Sequence, residues 1–183
     1  MNRIIFLILF IFGFQVVFCQ EASYLSYNNS FGIKYTNISG YGIYYDRAVS
    51  DYLNLQVMGL FYYLYGVKDN VTHKNYNYDI GLEIQENLIQ GESGRVYFLE
   101  GGYYYLDDDR YDGKDSKNYI IDHSFNVGVG MSGQYYYKRF LLSLDIGYKF
   151  YEDRLETTNN TQHYPEIKRL MKLGLGIGIG FMF

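Results

Sequence analysis

The sequence predicts an all-β fold: eight antiparallel strands closed into an up-and-down transmembrane barrel, with side chains filling its lumen. Three observations carry that expectation. Alternation of apolar with small or polar residues recurs eight times after residue 20, with no helical stripe between the repeats. The chain holds 24 Tyr, 13 Phe and 20 Gly against no Trp and one Pro, which favours strands joined by tight turns. Several alternating segments reach ten residues or more. That exceeds the usual five or six or so and matches the 9 to 11 or so of a tilted membrane strand.

Residues 1–19 stand apart from this pattern. Arg3 precedes an apolar run from Ile4 to Phe14, and Val16, Val17, Phe18 and Cys19 follow Gln15. This is the form of a secretory signal peptide cleaved after Cys19, leaving residues 20–183 as one domain that begins at Gln20. A retained anchor and lipidation of Cys19 are the other readings of the segment, which is marginal in length for a span. Cys19 is the one cysteine, so on either cleavage reading the mature domain holds no internal disulfide.

The strands are expected as follows. Phe31, Ile33 and Tyr35 alternate with Gly32, Lys34 and Thr36, and Tyr41, Ile43 and Tyr45 with Gly42, Tyr44 and Asp46. A third strand covers Leu53 to Tyr63, with Asn54 and Gln56 on its polar side. In the fourth, Tyr76, Tyr78, Ile80, Leu82 and Ile84 oppose Asn77, Asp79, Gly81, Glu83 and Gln85. The fifth, Arg95 to Leu106, sets Tyr97, Leu99, Tyr103 and Tyr105 against Glu100. Phe125, Val127, Val129, Met131 and Tyr135 mark the sixth, and the even positions from Phe140 to Phe150 the seventh. The last places Leu173, Leu175, Ile177, Ile179, Phe181 and Phe183 opposite Lys172 and four glycines. Long polar connections, "GVKDNVTHK", "DDDRYDGKDSKN" and "EDRLETTNNTQHYPEIKR", gather at one end, and the turns "AVSD", "ENLIQGESG" and "YKR" at the other. The short "NISG" breaks this rule.

Alternation alone also fits a soluble sandwich or a lipocalin-like barrel. The polar face decides against them, being rich in glycine with isolated charges of both signs, where a solvated face would favour Thr, Lys and Glu. In a narrow eight-stranded barrel that face fills the lumen, where charges must pair. Lys34, Lys149 and Lys172 are therefore expected to meet Asp79, Glu83, Glu100 and Asp145. Tyrosines gather toward strand ends, as membrane-barrel girdles do. Closure is also what a bilayer demands of strands.

The closing stretch "KLGLGIGIGFMF" adds a resemblance. It is similar to the C-terminal strand of the small bacterial outer-membrane β-barrels of the OmpA/OmpX-like superfamily, and the mature chain resembles that group in architecture. The resemblance implies a place in the outer membrane of a Gram-negative bacterium, among lipid and lipopolysaccharide, as a monomer. It also implies that Leu175, Ile177, Ile179, Phe181 and Phe183 form a signal for the barrel-assembly machinery.

Chemistry is sparse. The formal charge of −4 excludes a nucleic-acid footprint, which needs a basic face. His73, His123 and His163 are the histidines; His123 neighbours Ser124, but adjacent strand residues point to opposite faces and cannot form a local nucleophile–base pair. "DDDRYDGKD" (107–115) lacks EF-hand spacing, because Tyr111 and Asp112 fall where a ligand and the turn glycine belong. Asn-x-Ser/Thr at Asn28, Asn37, Asn70 and Asn159 reads as chance in an asparagine-rich chain. No cofactor is expected. The reading is a non-enzymatic barrel with a structural or surface-contact role through its loops; a small-solute channel and a lipid A-modifying enzyme are the alternatives. Eight strands leave a filled interior, not the aqueous bore of a sixteen-stranded porin or so.

Overall fold

The computed structural model describes residues 27–68, 71–112, 117–159 and 162–183; the proposed signal peptide and Asn70 lie outside them. Eight strands follow in order: β1 Asn29–Thr36, β2 Gly40–Ala48, β3 Leu53–Lys68, β4 Val71–Gly91, β5 Gly94–Asp112, β6 Lys117–Tyr137, β7 Phe140–Asn159 and β8 Gln162–Met182. Each pairs antiparallel with the next, and β1 pairs with β8, so the sheet closes. The stagger follows from the register. Ladder partners lead from Ile33 through Ile43, Gly59, Ile80, Tyr104, Phe125 and Glu152 to Arg169. Ile33 itself pairs with Ile179, ten residues along β8 from Arg169. Such a shear tilts the strands by roughly 40° from the barrel axis.

Outside and inside are inverted relative to a soluble protein. Ile33, Ile43, Ile80, Leu144, Ile146 and Ile177 are exposed on the outer wall, whereas Lys34, Gln56, Glu83, Gln85 and Asp145 are buried within. Along β7 the apolar wall runs from Phe140 to Phe150. Ten steps of about 3.3 Å at that tilt make a band about 25 Å tall. Aromatic rings edge it. At the turn end Phe31, Phe140 and Phe183 pack around Phe181, or against one another, with ring centroids 5.6–6.1 Å apart. At the other end Tyr35 meets Tyr41 at 5.8 Å, Tyr63 meets Tyr76 at 4.6 Å, and Tyr78 meets Tyr104 at 5.8 Å. The C-terminus is tied down. Phe183 donates its N–H to the Asn29 carbonyl at 2.9 Å, beside the β1–β8 ladder.

Two sequence expectations change here. The long connections are largely strand: β3 and β4 pair out to Lys68 and Val71, β5 and β6 to Asp112 and Lys117, and β7 and β8 to Asn159 and Gln162. Beyond the apolar band neither face of a ribbon has to meet lipid, so hydrophobic alternation fades while the backbone ladder continues. The fifth strand also faces the other way. Tyr97 and Leu99 are fully buried in the lumen. Leu99 pairs with inward-facing Gln85, and Glu100 with outward-facing Ile84. Glu100 thus leaves the expected lumenal network and stands on the outer wall. Arg95 and Gly101, which share the inward side of β5 with Leu99, are needed inside.

The β1–β2 connection explains its own brevity. Ile38 and Ser39 are fully buried, and Ile38 packs with Tyr97 and Leu99. The turn folds into the barrel rather than rising above it. Gly40 takes a φ of 110°, which a side chain resists. Glycines of four other strands make room: a Cβ at Gly101 would lie 2.6 Å from Ser39 Cβ, one at Gly128 the same distance from Ile38 Cγ2, and Gly81 and Gly174 sit as close to the same turn.

Candidate functional site

Among the described residues a connected polar chain crosses the lumen. β1 carries Lys34 inward, and its Nζ lies 2.9 and 3.0 Å from the two Glu83 oxygens on β4. The same nitrogen lies 3.0 Å from Asp145 Oδ2 on β7. That second approach is an ion contact outside hydrogen-bond alignment. Side-chain exposure is 1% for Lys34 and 0% for both carboxylates. Ser39 of the inturned hairpin donates to Glu83 at 2.5 Å, and Ser132 donates to Asp145 at 2.6 Å. Glu83 also accepts from Gln85 Nε2 at 2.7 Å. Gln85 in turn accepts from Arg95, which reaches Asp46 at 3.1 Å, Gln134 at 2.8 Å and Asn87 at 2.9 Å. The Arg95 guanidinium lies 4.5 Å over the Tyr97 ring. Two cations and three carboxylates are thereby knitted across six strands, with the Ile38 turn capping them. Buried charges are held only by such partners.

Three other expected members of that network lie elsewhere. Asp79 is lumenal and buried, yet among the described residues no lysine or arginine pairs with it; its Oδ1 accepts the Tyr41 N–H at 3.0 Å. Lys149 and Lys172 face each other across the β7–β8 ladder, higher in the barrel. Both ammonium groups lie over the Tyr151 ring, at 4.7 and 5.0 Å from its centroid. Charge sign alone could not separate these levels, because the height of a residue depends on the stagger. Sequence reasoning missed Arg95, Asp46, Gln85 and the Ile38–Ser39 plug. The signal for the plug was present in four glycines on separate strands, which only the register brings to one level.

At the turn end, a cavity of about 290 Å³ opens beneath the network, lined by Asp46, Asn54, Asn87, Arg95, Gln134 and Tyr136 among others. At the opposite end the lumen has a polar mouth. There Asn75 donates to Asp107 at 2.6 Å, Asn77 donates to the Tyr105 hydroxyl at 2.9 Å, and Ser124 donates to Asp153 at 2.5 Å.

The remaining candidates divide by strand alternation. Ser124 faces the lumen, whereas the His123 ring lies 3.1 Å from the Tyr104 hydroxyl on the outer wall, so the two stand on opposite faces. His73 contacts Asp109 at 2.5 Å and stacks on Tyr111. The first aspartates of "DDDRYDGKD" separate likewise: Asp107 points inward to Asn75, and Asp108 pairs outward with Arg110 at 2.6 Å. Among the described residues no group of three His, Cys, Asp or Glu is arranged to hold a metal ion. The Asn37 side chain is occupied in accepting the Leu175 N–H at 2.8 Å, pinning the inturned hairpin to β8. Leu175, Ile177, Ile179 and Phe181 point outward along β8.

No protein-family model matches the chain. No curated protein matches it either. Among solved structures it is similar to a major outer membrane protein from Thermus thermophilus, at 11% identity and a TM-score of 0.49, over 87% of this chain and 100% of that one. It is similar to Acinetobacter baumannii CarO at 10% identity and a TM-score of 0.41, over 88% and 100% of the two chains. Neisserial surface protein A (NspA) is 18% identical, with a TM-score of 0.37, over 85% of this chain and 94% of that one.

Proposed function

We propose that this chain is an integral outer-membrane β-barrel with a plugged lumen, acting without catalysis as a surface-contact or structural protein. The observation that carries the reading is the outer wall. A band about 25 Å tall, edged by aromatic rings at both ends, is what a bilayer-spanning barrel presents to lipid, and a soluble protein would not leave so much apolar surface in water. Inside, the Lys34–Glu83–Asp145 contacts and the Ile38 turn stand where a bore would be. The signal-peptide form of residues 1–19 agrees with export, and the C-terminal strand with delivery to the barrel-assembly machinery.

Contact with lipopolysaccharide and with outside partners then falls to the ribbons that β3 to β8 raise beyond the band, since such a scaffold leaves recognition to its exposed connections. The experiment is direct. The mature chain, folded in detergent, is expected to migrate faster unheated than boiled, to insert into vesicles and to give no unitary conductance in planar bilayers. A soluble, monodisperse protein without detergent overturns the membrane reading, and stable conductance steps overturn the plug. Lipid A mass profiles with and without the protein test the absence of catalysis.

A further inference from the structure

The barrel wall is incomplete on one side. β1 ends at Thr36 and β2 begins at Gly40, while their neighbours continue to Lys68 on β3 and from Gln162 on β8. β3 pairs with β2 only as far as Gly59, and β8 pairs with β1 only from Gly176. Above those points β3 holds ladder partners on β4 alone, and β8 on β7 alone, save that Leu175 also binds Asn37. The result is a notch two strands wide, about 14 Å between its flanks at ordinary strand spacing. Tyr35 and Tyr41 form its sill.

The notch begins inside the apolar band. Phe61 and Tyr63 on one flank and Met171 and Leu173 on the other still belong to the exposed outer wall. A free ladder edge at that depth is tolerated only where it is covered or lines a wet cavity, and this one opens into the polar mouth of the lumen. The flanks differ in chemistry. On β3, Leu60, Tyr62 and Leu64 lie beside the gap on the lumenal face and are exposed. On β8, Lys172 stands beside Lys149 of β7, and the two cations share the Tyr151 ring. Neither is within ion-pair distance of a carboxylate among the described residues. Asp153, the nearby acid, has an oxygen taken up by Ser124. Lys149 donates to the Tyr103 hydroxyl and to Asn126 Oδ1, both at 3.4 Å, so its hydrogen-bond partners are neutral. Two adjacent cations without a paired carboxylate, at a side door to lipid, fit an anionic occupant.

We propose that the notch is a lateral binding site for a net-anionic, phosphate-bearing amphiphile of the outer leaflet. Its phosphate lies between Lys149 and Lys172, and its hydrocarbon leaves the barrel between the Leu60–Leu64 flank and Leu173. The proposal rests on the bilayer reading given above, and the test separates the two.

The chain contains no tryptophan, so a single introduced one reports its own surroundings. Mature chain carrying Tyr62→Trp, or Leu60→Trp should the first fail to fold, is placed in vesicles containing brominated phosphatidylglycerol or the same fraction of brominated phosphatidylcholine. Leu144→Trp, on the continuous part of the wall, is the control. The notch tryptophan is expected to be quenched at least about two-fold more strongly by the anionic lipid, two lysines supplying the preference. The Leu144→Trp control is expected to be quenched equally by both. Adding Lys149→Gln with Lys172→Gln is expected to bring the notch probe to parity. Parity with both lysines present overturns the proposal, as does an excess that survives their replacement. Leu144→Trp left unquenched by either lipid overturns the bilayer reading instead.

Discussion

Replacing Lys34 with methionine takes away the cation that stands between Glu83 and Asp145 while keeping most of the buried volume. The nitrogen lies 2.9–3.0 Å from three carboxylate oxygens. At such separation a pair attracts by about 5 kcal/mol with an effective dielectric of about 20. Desolvation of three charges offsets most of the sum, so the intact cluster contributes little net stability. Breaking it is another matter. Lys34→Met leaves two buried carboxylates without their cation, and the expected loss is about 3–5 kcal/mol. Burial is essentially complete, so solvent screening does not soften the figure. Lys34→Met combined with Glu83→Gln removes one of the stranded charges and is expected to restore a good part of the loss. The assay is urea titration of the chain folded in vesicles, followed by the mobility of unheated samples on gels. A Lys34→Met cost below about 1 kcal/mol, or a double variant no more stable than the single one, refutes the argument that pairing holds these charges inside.

Three further outcomes follow from the geometry. Gly174→Val would drive side-chain atoms into the Ile38 side chain; the expected loss is about 1–3 kcal/mol, partly recovered when Ile38→Ala is added, as urea midpoints would register. Glu100→Leu replaces a carboxylate on the outer wall within the apolar band, and is expected to stabilise the folded barrel in vesicles by about 1 kcal/mol; an unchanged or lower midpoint would contradict that placement. Asp122 stands above the band, paired with inward-facing Asp107 and Leu155. Burial, then the charges of Asp153 and Asp107, push its carboxyl above the ordinary carboxylate range. A carboxyl raised in the fold costs stability once pH exceeds its unfolded value, and that cost disappears below it. Asp122→Asn is therefore expected to stabilise at pH 7 by less than about 1 kcal/mol, given its exposure, and to lose that advantage near about pH 3; equal midpoint shifts at both pH values would refute the assignment.

Much of the barrel was legible in the sequence because a strand in a two-faced wall must alternate, and alternation survives in linear order. That holds for β1, β2, the apolar-band part of β7 and the closing strand from Leu173 onward, where each outward residue was read by parity alone. It fails where one face stops contrasting with the other. The ribbons past Phe150 and before Met171 have no side that must face lipid, so their polar residues looked like loop. β5 misled for the opposite reason: both its faces carry apolar side chains, and a single carboxylate, Glu100, gave the wrong parity.

The sequence by itself determined the fold class, the face of most strands, and the expectation that charges in a narrow lumen pair. It could set Lys34, Lys149 and Lys172 against Asp79, Glu83, Glu100 and Asp145, because buried charges of opposite sign need one another. It could not say that Lys34 meets Glu83 and Asp145 while the others lie elsewhere. Only the tertiary structure decided the heights. A stagger of ten residues around the ring brings Gly81, Gly101, Gly128 and Gly174 to the level of the Ile38 turn. The same stagger lifts Lys149 and Lys172 out of the central network and leaves β3 and β8 standing above a short first hairpin. Height in a barrel is a sum over all eight registers, and no local stretch of sequence contains that sum.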